Sequence, residues 1–503
     1  MAEKPKKILI IGIDGGDPDL IFNKFRRKLP NISSLLSDGK SGILLSTIPS
    51  ATIPAWNSFY TGLNPGGHNM FDFTTPPDYR YRIHFVSSLN RNVPAFWKLA
   101  GERDKKCAVL NFPSCYPPER VNGVMISGFD CPLPSGGDKS FLNPPYLYDE
   151  ILKRFGPYRI SGFDQINLKP STMRQAGESL LQTAEYKGNV AEWLLKKDDW
   201  DLFMVHFGEV DAASHHFWRF YDKDSPRRLG NEENDLTNVI PNIYAKIDEQ
   251  VGKLISSVNN DWSVLLMSDH GFRGAGKYVL HINNLLHNAG LLSFKRQRVL
   301  DDSKAKSILK MVPKRFRKYL FRGALAPITD RTEGMRRFGN IDFLRTKAFS
   351  DELNYFPSVR INLKGAYQQG IVASSDKEKV IRDVEAVLKD CHDPNGEPIV
   401  KSIHRREDIY SGKFVNSAPD VIIELNSPDG YTNGVLPSNP YGVSVRELSS
   451  EEYPGGKGSF PCGGHRREGF YILYNSPPSI SPKKRIQIFD LTQIVYYIMN
   501  IDL

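Results

Sequence analysis

At 503 residues the chain exceeds one minimal domain and has room for a large core with a substantial insertion. With 40% hydrophobic and 24% charged residues it suits a globular protein, and no stretch reaches the roughly 18 apolar residues of a membrane span. The net charge of +9 is local: Lys295 to Arg337 holds 14 Lys and Arg against four acids, which leaves the rest near neutrality and argues against nucleic-acid coating.

The opening MAEKPKKILIIGIDGGD reads as a strand at 6–13, too short in its apolar run for a signal peptide. PNISSLLSDG (30–39) has helical spacing, and PAWNSFYTG (54–62) reads as a helix with proline in its first turn and a glycine stop. KCAVLNF (106–112), DLFMVHF (201–207) and WSVLLMS (262–268) are apolar on both faces, as buried parallel strands are. Helical patterns at 172–197 and 238–258 lie between them, so the expected fold is α/β, a mostly parallel sheet with helices on both faces. From about 276 to 350 the pattern is irregular. Beyond it, 352–365 and 420–425 read as β structure around a helix at 376–390, and 427–464 reads as a Gly, Pro and Ser-rich loop. FYILYN (470–475) and DLTQIVYYIMNI (490–501) close the chain as strand and helix. The expected organisation is a catalytic core over 1–275 and 416–503, with a cap or lid inserted at 276–415. Five cysteines without CxxC spacing point to a reducing, cytoplasmic setting.

Ligands of open parallel sheets bind beyond the carboxyl ends of the strands. There the first strand ends in Asp14–Gly15–Gly16, and WSVLLMS ends in Asp269–His270–Gly271. DLFMVHF runs into GEVDAASHHFW, where Asp211 and His215 stand at i and i+4, on one helix face. His465 lies in the glycine-rich GGHRREG. Three Asp and three His suit two divalent ions, zinc most readily and manganese next. Each has a plainer reading: Asp14 as a turn former, the Asp211/His215 pair as a surface pair, and His216 as a rival to His215. His206, Glu209 and His68 fit structural or supporting positions better. Thr52, just before a helix first turn, has a side-chain oxygen at the positive end of the dipole, and metal activation makes it a candidate nucleophile. A helix-cap role for Thr52, and Ser50 or Ser58 as the reacting hydroxyl, stay open.

Together IGIDGGDPDL, IPSATIPAWNSFYTGLNPGGHNMFDF, GEVDAASHHFW, SDHGF and GGHRREG resemble the alkaline phosphatase superfamily, in its type I phosphodiesterase/nucleotide pyrophosphatase branch. The similarity is closest to prokaryotic predicted phosphohydrolases or phosphomutases and runs almost end to end. It implies an alkaline phosphatase-like three-layer sandwich. It also implies one metal held by Asp211, His215 and His465, and another by Asp14, Asp269, His270 and the Thr52 oxygen. Thr52 would attack phosphorus to give a phospho-threonine, which water then hydrolyses. Eukaryotic members place asparagine three residues after the nucleophile; here Ala55 stands there, and Asn57 is the candidate substrate-binding substitute.

The expected activity is therefore two-metal hydrolysis of a small phosphodiester, with a phosphomutase or phosphomonoesterase as alternative. TIPAW lacks the Cys/Ser–Pro–Arg pattern of a sulfatase. A different class, a membrane-surface or polyanion-binding protein, would act through 295–337, where SILKMVPKRFRKYLFRGAL sets Ile308, Leu309, Val312, Phe316 and Leu320 near helical spacing. The same segment reads as a lid that attracts anionic substrate, the favoured role, or as a helix packed on the domain.

Overall fold

The computed structural model describes residues 7–129, 137–162, 170–230, 235–295, 333–354, 356–455 and 460–501. Its main sheet contains β1 (Lys7–Ile13), β2 (Lys40–Leu45), β3 (Cys107–Leu110), β4 (Gly123–Ile126), β5 (Leu142–Asn143), β6 (Leu202–Phe207), β7 (Trp262–Met267), β16 (Glu468–Tyr474) and β17 (Arg485–Gln487). The spatial order is β17-β2-β16-β7-β1-β6-β3-β4-β5. β1 pairs in parallel with β6 and β7, and β3 continues the parallel run to β4, whereas β16 and β5 are antiparallel to their neighbours. The sheet is thus mostly parallel, as the apolar strand runs imply.

β1 shows why these runs make a central strand. Leu9, Ile11 and Ile13 enter one core with the helices Met173–Leu195, Glu209–Tyr221 and Val239–Ser256. Ile8 and Ile10 enter the opposite core with Trp56, Phe59, Val495 and Met499. A strand covered on both faces needs apolar residues at successive positions, and β-branched isoleucine fits that pleated surface. The registers Ile13↔Phe207 and Gly12↔Met267 bring the carboxyl ends of β7, β1 and β6 to one level.

A second sheet has the order β11-β12-β10-β9, from β9 (Ala348–Phe349), β10 (Ser358–Ile361), β11 (Val400–Arg405) and β12 (Val421–Leu425), packed with the helix Lys377–Lys389 around its own core. The β structure expected at 352–365 and 420–425 lies here, outside the main sheet. A third sheet is built on β8 (Gly271–Leu280), which pairs with β13 (Thr432–Val435), β14 (Val445–Glu447) and β15 (Gly463–Arg466). The expected loop at 427–464 thus contains short strands ordered by pairing with β8. Of the basic segment 295–337, residues 296–332 lie outside the described residues, as does Cys131. Cys107, Cys115, Cys391 and Cys462 are buried free thiols. No described helix is long and apolar enough to cross a membrane.

Candidate active site at the strand ends

Asp14 follows β1, and its backbone N–H donates to Phe207 O of β6 at 2.9 Å. Gly15 then turns with φ +67°, and a Cβ there would lie 3.1 Å from the Asp211 Cα, so a left-handed turn and a close approach both require glycine. Asp269 and His270 follow β7 and precede β8. β15 pairs antiparallel with β8, which sets His465 opposite Phe272. Gly463 lets that strand reach the helix carrying Asp211 and His215, since a Cβ there would lie 2.2 Å from Ser214 O.

The helix expected after Thr52 begins at Thr52 itself, with Ala51 as its N-cap, and ends at Gly62 in the left-handed conformation. Pro54 is its third residue, still in the turn where a backbone N–H has no partner within the helix. Thr52 is therefore an N1 residue, buried at the positive end of the dipole. Ser58 faces His68 Nε2 at 3.0 Å, and the Ser50 carbonyl accepts from His465.

Three imidazoles are oriented by backbone carbonyls. His215 Nδ1 donates to Gly463 O at 3.0 Å, His465 Nδ1 to Ser50 O at 2.8 Å and His270 Nδ1 to Gly271 O at 3.2 Å. With a hydrogen on each Nδ1, the Nε2 atoms are the ones left to bind. His465 Nε2 lies 3.1 Å from Asp211 Oδ1 and 3.0 Å from His215 Nε2, and His215 Nε2 lies 3.4 Å from the same carboxylate oxygen. His270 Nε2 lies 3.2 Å from Asp269 Oδ2, 3.5 Å from Asp14 Oδ1 and 3.4 Å from Thr52 Oγ1. The ligand atoms of Asp14, Asp269 and His270 fall within 4.8 Å of one another, as do those of Asp211, His270 and His465, so His270 stands at the seam of two donor clusters.

These donors fit divalent cations. Asp14 Oδ1 and Asp269 Oδ2 are buried with no hydrogen-bond partner among the described residues, a costly state for a carboxylate without a cation. Burial, then the charge of Asp14, pushes Asp269 well above the usual carboxylate range, and burial raises Asp14 against its contact with His206. Burial holds His270 well down, in the neutral form that binds metal. For Asp211 the upward push of burial is outweighed by the charge of His215 and by contacts with His215 and His465, so its carboxyl lies well below its usual value. Two Nε2 atoms 3.0 Å apart share at most one proton, whereas a divalent ion there would satisfy both.

The structure thus brings Asp14, Thr52, Asp211, His215, Asp269, His270 and His465 together. Asn57 is placed differently: its amide donates to Ile53 O at 2.8 Å and its carbonyl accepts from Arg91 Nη1 at 3.4 Å, so both ends engage the protein. His206 and Trp56 orient Asp14, each donating to Oδ2, at 2.9 and 3.2 Å. His206 sits in an apolar run that reads as core packing. Asp17 went unremarked in sequence: it accepts from Phe272 N and from Arg466 Nε, at 3.1 and 2.7 Å, and so ties β15 to the loop after β1. No local signal could have found it, because Asp17 and Arg466 stand 449 positions apart in the chain. His216 is held near a pKa of about 4 by burial and by neighbouring His215.

Residues 8–432 match the family model for type I phosphodiesterase / nucleotide pyrophosphatase. Human ectonucleotide pyrophosphatase/phosphodiesterase 5 superposes with a TM-score of 0.50 at 11% identity, covering 99% of this chain and 96% of that one. The murine protein, in an inactive threonine-to-alanine form in complex with AMP, gives 0.51 at 10% identity and the same coverage. Phosphonoacetate hydrolase from Sinorhizobium meliloti 1021, in complex with phosphonoformate, gives 0.55 at 13%, again over 99% and 96%. These likenesses show a shared fold. No curated protein matches the chain by sequence.

Proposed function

The chain belongs to the type I phosphodiesterase/nucleotide pyrophosphatase family of the alkaline phosphatase superfamily, metal-dependent phosphoric ester hydrolases, and on that premise we propose that Thr52 is its nucleophile toward a small phosphodiester. The observation that carries this reading is the Thr52 Oγ1 position, 3.4 Å from His270 Nε2 at the seam of the two clusters. Asp211, His215 and His465 would hold one divalent ion, and Asp14, Asp269 and His270 with the Thr52 oxygen the other; the donor set favours zinc, then manganese. Bound there, the ions supply positive charge that lowers the threonine pKa and offsets the charge of the attacked phosphoryl group.

The protein's own part is positioning. The helix Thr52–Thr61 presents the nucleophile rigidly, with its dipole favouring negative charge at that oxygen. Thr52 Oγ attacks phosphorus as the ester oxygen leaves, and water then hydrolyses the phospho-threonine. Carbonyl contacts at Ser50, Gly463 and Gly271 fix the imidazole tautomers. The span 276–415 serves as a cap in this reading; it is supported by Tyr410 Oη donating to Ile48 O at 2.6 Å and by the Phe356 ring 5.8 Å from that of His465.

The test is a panel of bis-p-nitrophenyl phosphate, p-nitrophenyl phosphate and p-nitrophenyl-TMP with Zn, Mn and Mg in turn. The diesters should turn over faster than the monoester. Thr52→Ala should lower kcat by several orders of magnitude while Thr52→Ser keeps some activity. Acid-quenched wild type should carry phosphate on Thr52. Near wild-type turnover in the alanine variant would remove Thr52 from this role, and faster monoester turnover would favour a phosphomonoesterase.

A further inference from the structure

The loop that joins β11 to β12 in the second sheet reaches the helix Thr52–Thr61 and touches the chain on both sides of it. Before the helix, Tyr410 Oη donates to Ile48 O at 2.6 Å. Beyond it, Ser411 N donates to Asn64 Oδ1 at 3.1 Å, Asn64 Nδ2 donates to Ser411 Oγ at 2.7 Å, and Phe414 N donates to Gly66 O at 2.7 Å. One short loop thus holds both flanks of the element that carries Thr52.

The loop is itself braced. Arg406 is buried and donates from Nη1 to Asn416 O and Ala418 O, at 3.0 and 3.2 Å, and Tyr410 N donates to Arg406 O at 2.9 Å. The Tyr410 ring is 6% exposed and stands 5.4 Å from that of Phe71. Burial pushes its hydroxyl up from the usual tyrosine value, so it keeps the proton that it donates. On the receiving side, Thr47 Oγ1 and Ala51 N both donate to Pro49 O, at 2.6 and 2.9 Å, and His465 Nδ1 donates to Ser50 O. Ala51 is then the N-cap from which the helix starts.

We infer that Tyr410 is a positioning residue for Thr52: its hydroxyl fixes the segment from which the nucleophile helix departs, so the second sheet aims the nucleophile as well as standing over the site. The inference rests on the phosphoesterase reading above and deepens it. Tyr410 touches no reacting atom. Without its donor, the buried Ile48 carbonyl is left to turn, and the tightly bonded run to Ala51 passes that motion to Thr52. A misplacement of about 1 Å can slow a positioned reaction by about a hundredfold.

Single-turnover release of p-nitrophenolate from bis-p-nitrophenyl phosphate, by the full chain incubated with zinc, tests this. Tyr410→Phe removes only the hydroxyl and should slow release by about ten- to a hundredfold, with the half-saturating substrate concentration and the metal content unchanged. Phe71→Leu loosens the packing on the same ring but leaves the hydroxyl in place. It should lower the unfolding temperature and leave the release rate near that of wild type. A wild-type rate in Tyr410→Phe would overturn the inference, as would an equal slowing in Phe71→Leu or a loss of metal from Tyr410→Phe. Thr52→Ala run beside them separates the two readings: if it releases at the wild-type rate the nucleophile assignment falls, whereas if it is inactive and Tyr410→Phe is not slowed, only the positioning role falls.

Discussion

Replacing Lys187 with methionine should cost the fold about 3–5 kcal/mol, the usual consequence of stranding one partner of a buried ion pair. Lys187 Nζ lies 2.7 Å from Glu209 Oε1, and the two side chains are 4% and 2% exposed. Glu209 Oε2 has no other hydrogen-bond partner among the described residues, so Lys187 is the group that compensates this carboxylate. Glu209 also opens the helix that carries Asp211, so a displaced Glu209 moves the first turn toward which Gly15 packs. The converse change separates charge from packing. Lys187→Met with Glu209→Leu removes both charges at similar volume and should fall between neutral and about 4 kcal/mol more stable than wild type. Urea unfolding of wild type, both single variants and the double variant gives the coupling energy directly. A loss below about 1 kcal/mol in Lys187→Met, or a double variant no more stable than that single one, would refute the reasoning.

Elemental analysis of the purified chain should approach two divalent ions, and His465→Ala should lose about one, because His465 Nε2 faces both Asp211 and His215; zero metal after incubation with zinc and manganese would defeat the ligand assignment. Gly15→Ala should destabilise by about 1–2 kcal/mol from its left-handed conformation and also lower hydrolysis, because its Cβ meets Asp211; wild-type urea unfolding and kcat would contradict this. His68, whose Nδ1 accepts from Met70 N, is held neutral by burial and then by the charge of Arg91, at a pKa of about 3 against 6.5 unperturbed. The unfolded chain binds this proton first, so stability should fall as pH drops from about 6.5 toward 3, with a slope near 1.4 kcal/mol per pH unit for one proton. His68→Gln should remove that share of the slope, and an unchanged slope would show that His68 titrates normally.

What the sequence made legible has a physical reason. β1, β6 and β7 are apolar on both faces, so Asp14, Asp211 and Asp269 mark where each strand leaves the core, and a parallel sheet turns three such ends toward one edge. β8 escaped notice because GFRGAGKYVL carries three glycines and is ordered by pairing with β13, β14 and β15, more than 150 residues away. Groups that act through a neighbour are the hardest to read. The Arg466 contact with Asp17 spans 449 positions, and neither residue has a local pattern that announces the other. His206 resembles core because it is core: it lies fully buried in β6, and only the register that puts it beside Gly12 brings its Nε2 to Asp14. Local sequence therefore reveals which side chains leave the sheet edge, while their orientation depends on contacts made only when distant strands come into register. That is why the metal-type donors could be named from the chain and the carbonyls, His206 and Asp17 that aim them could not.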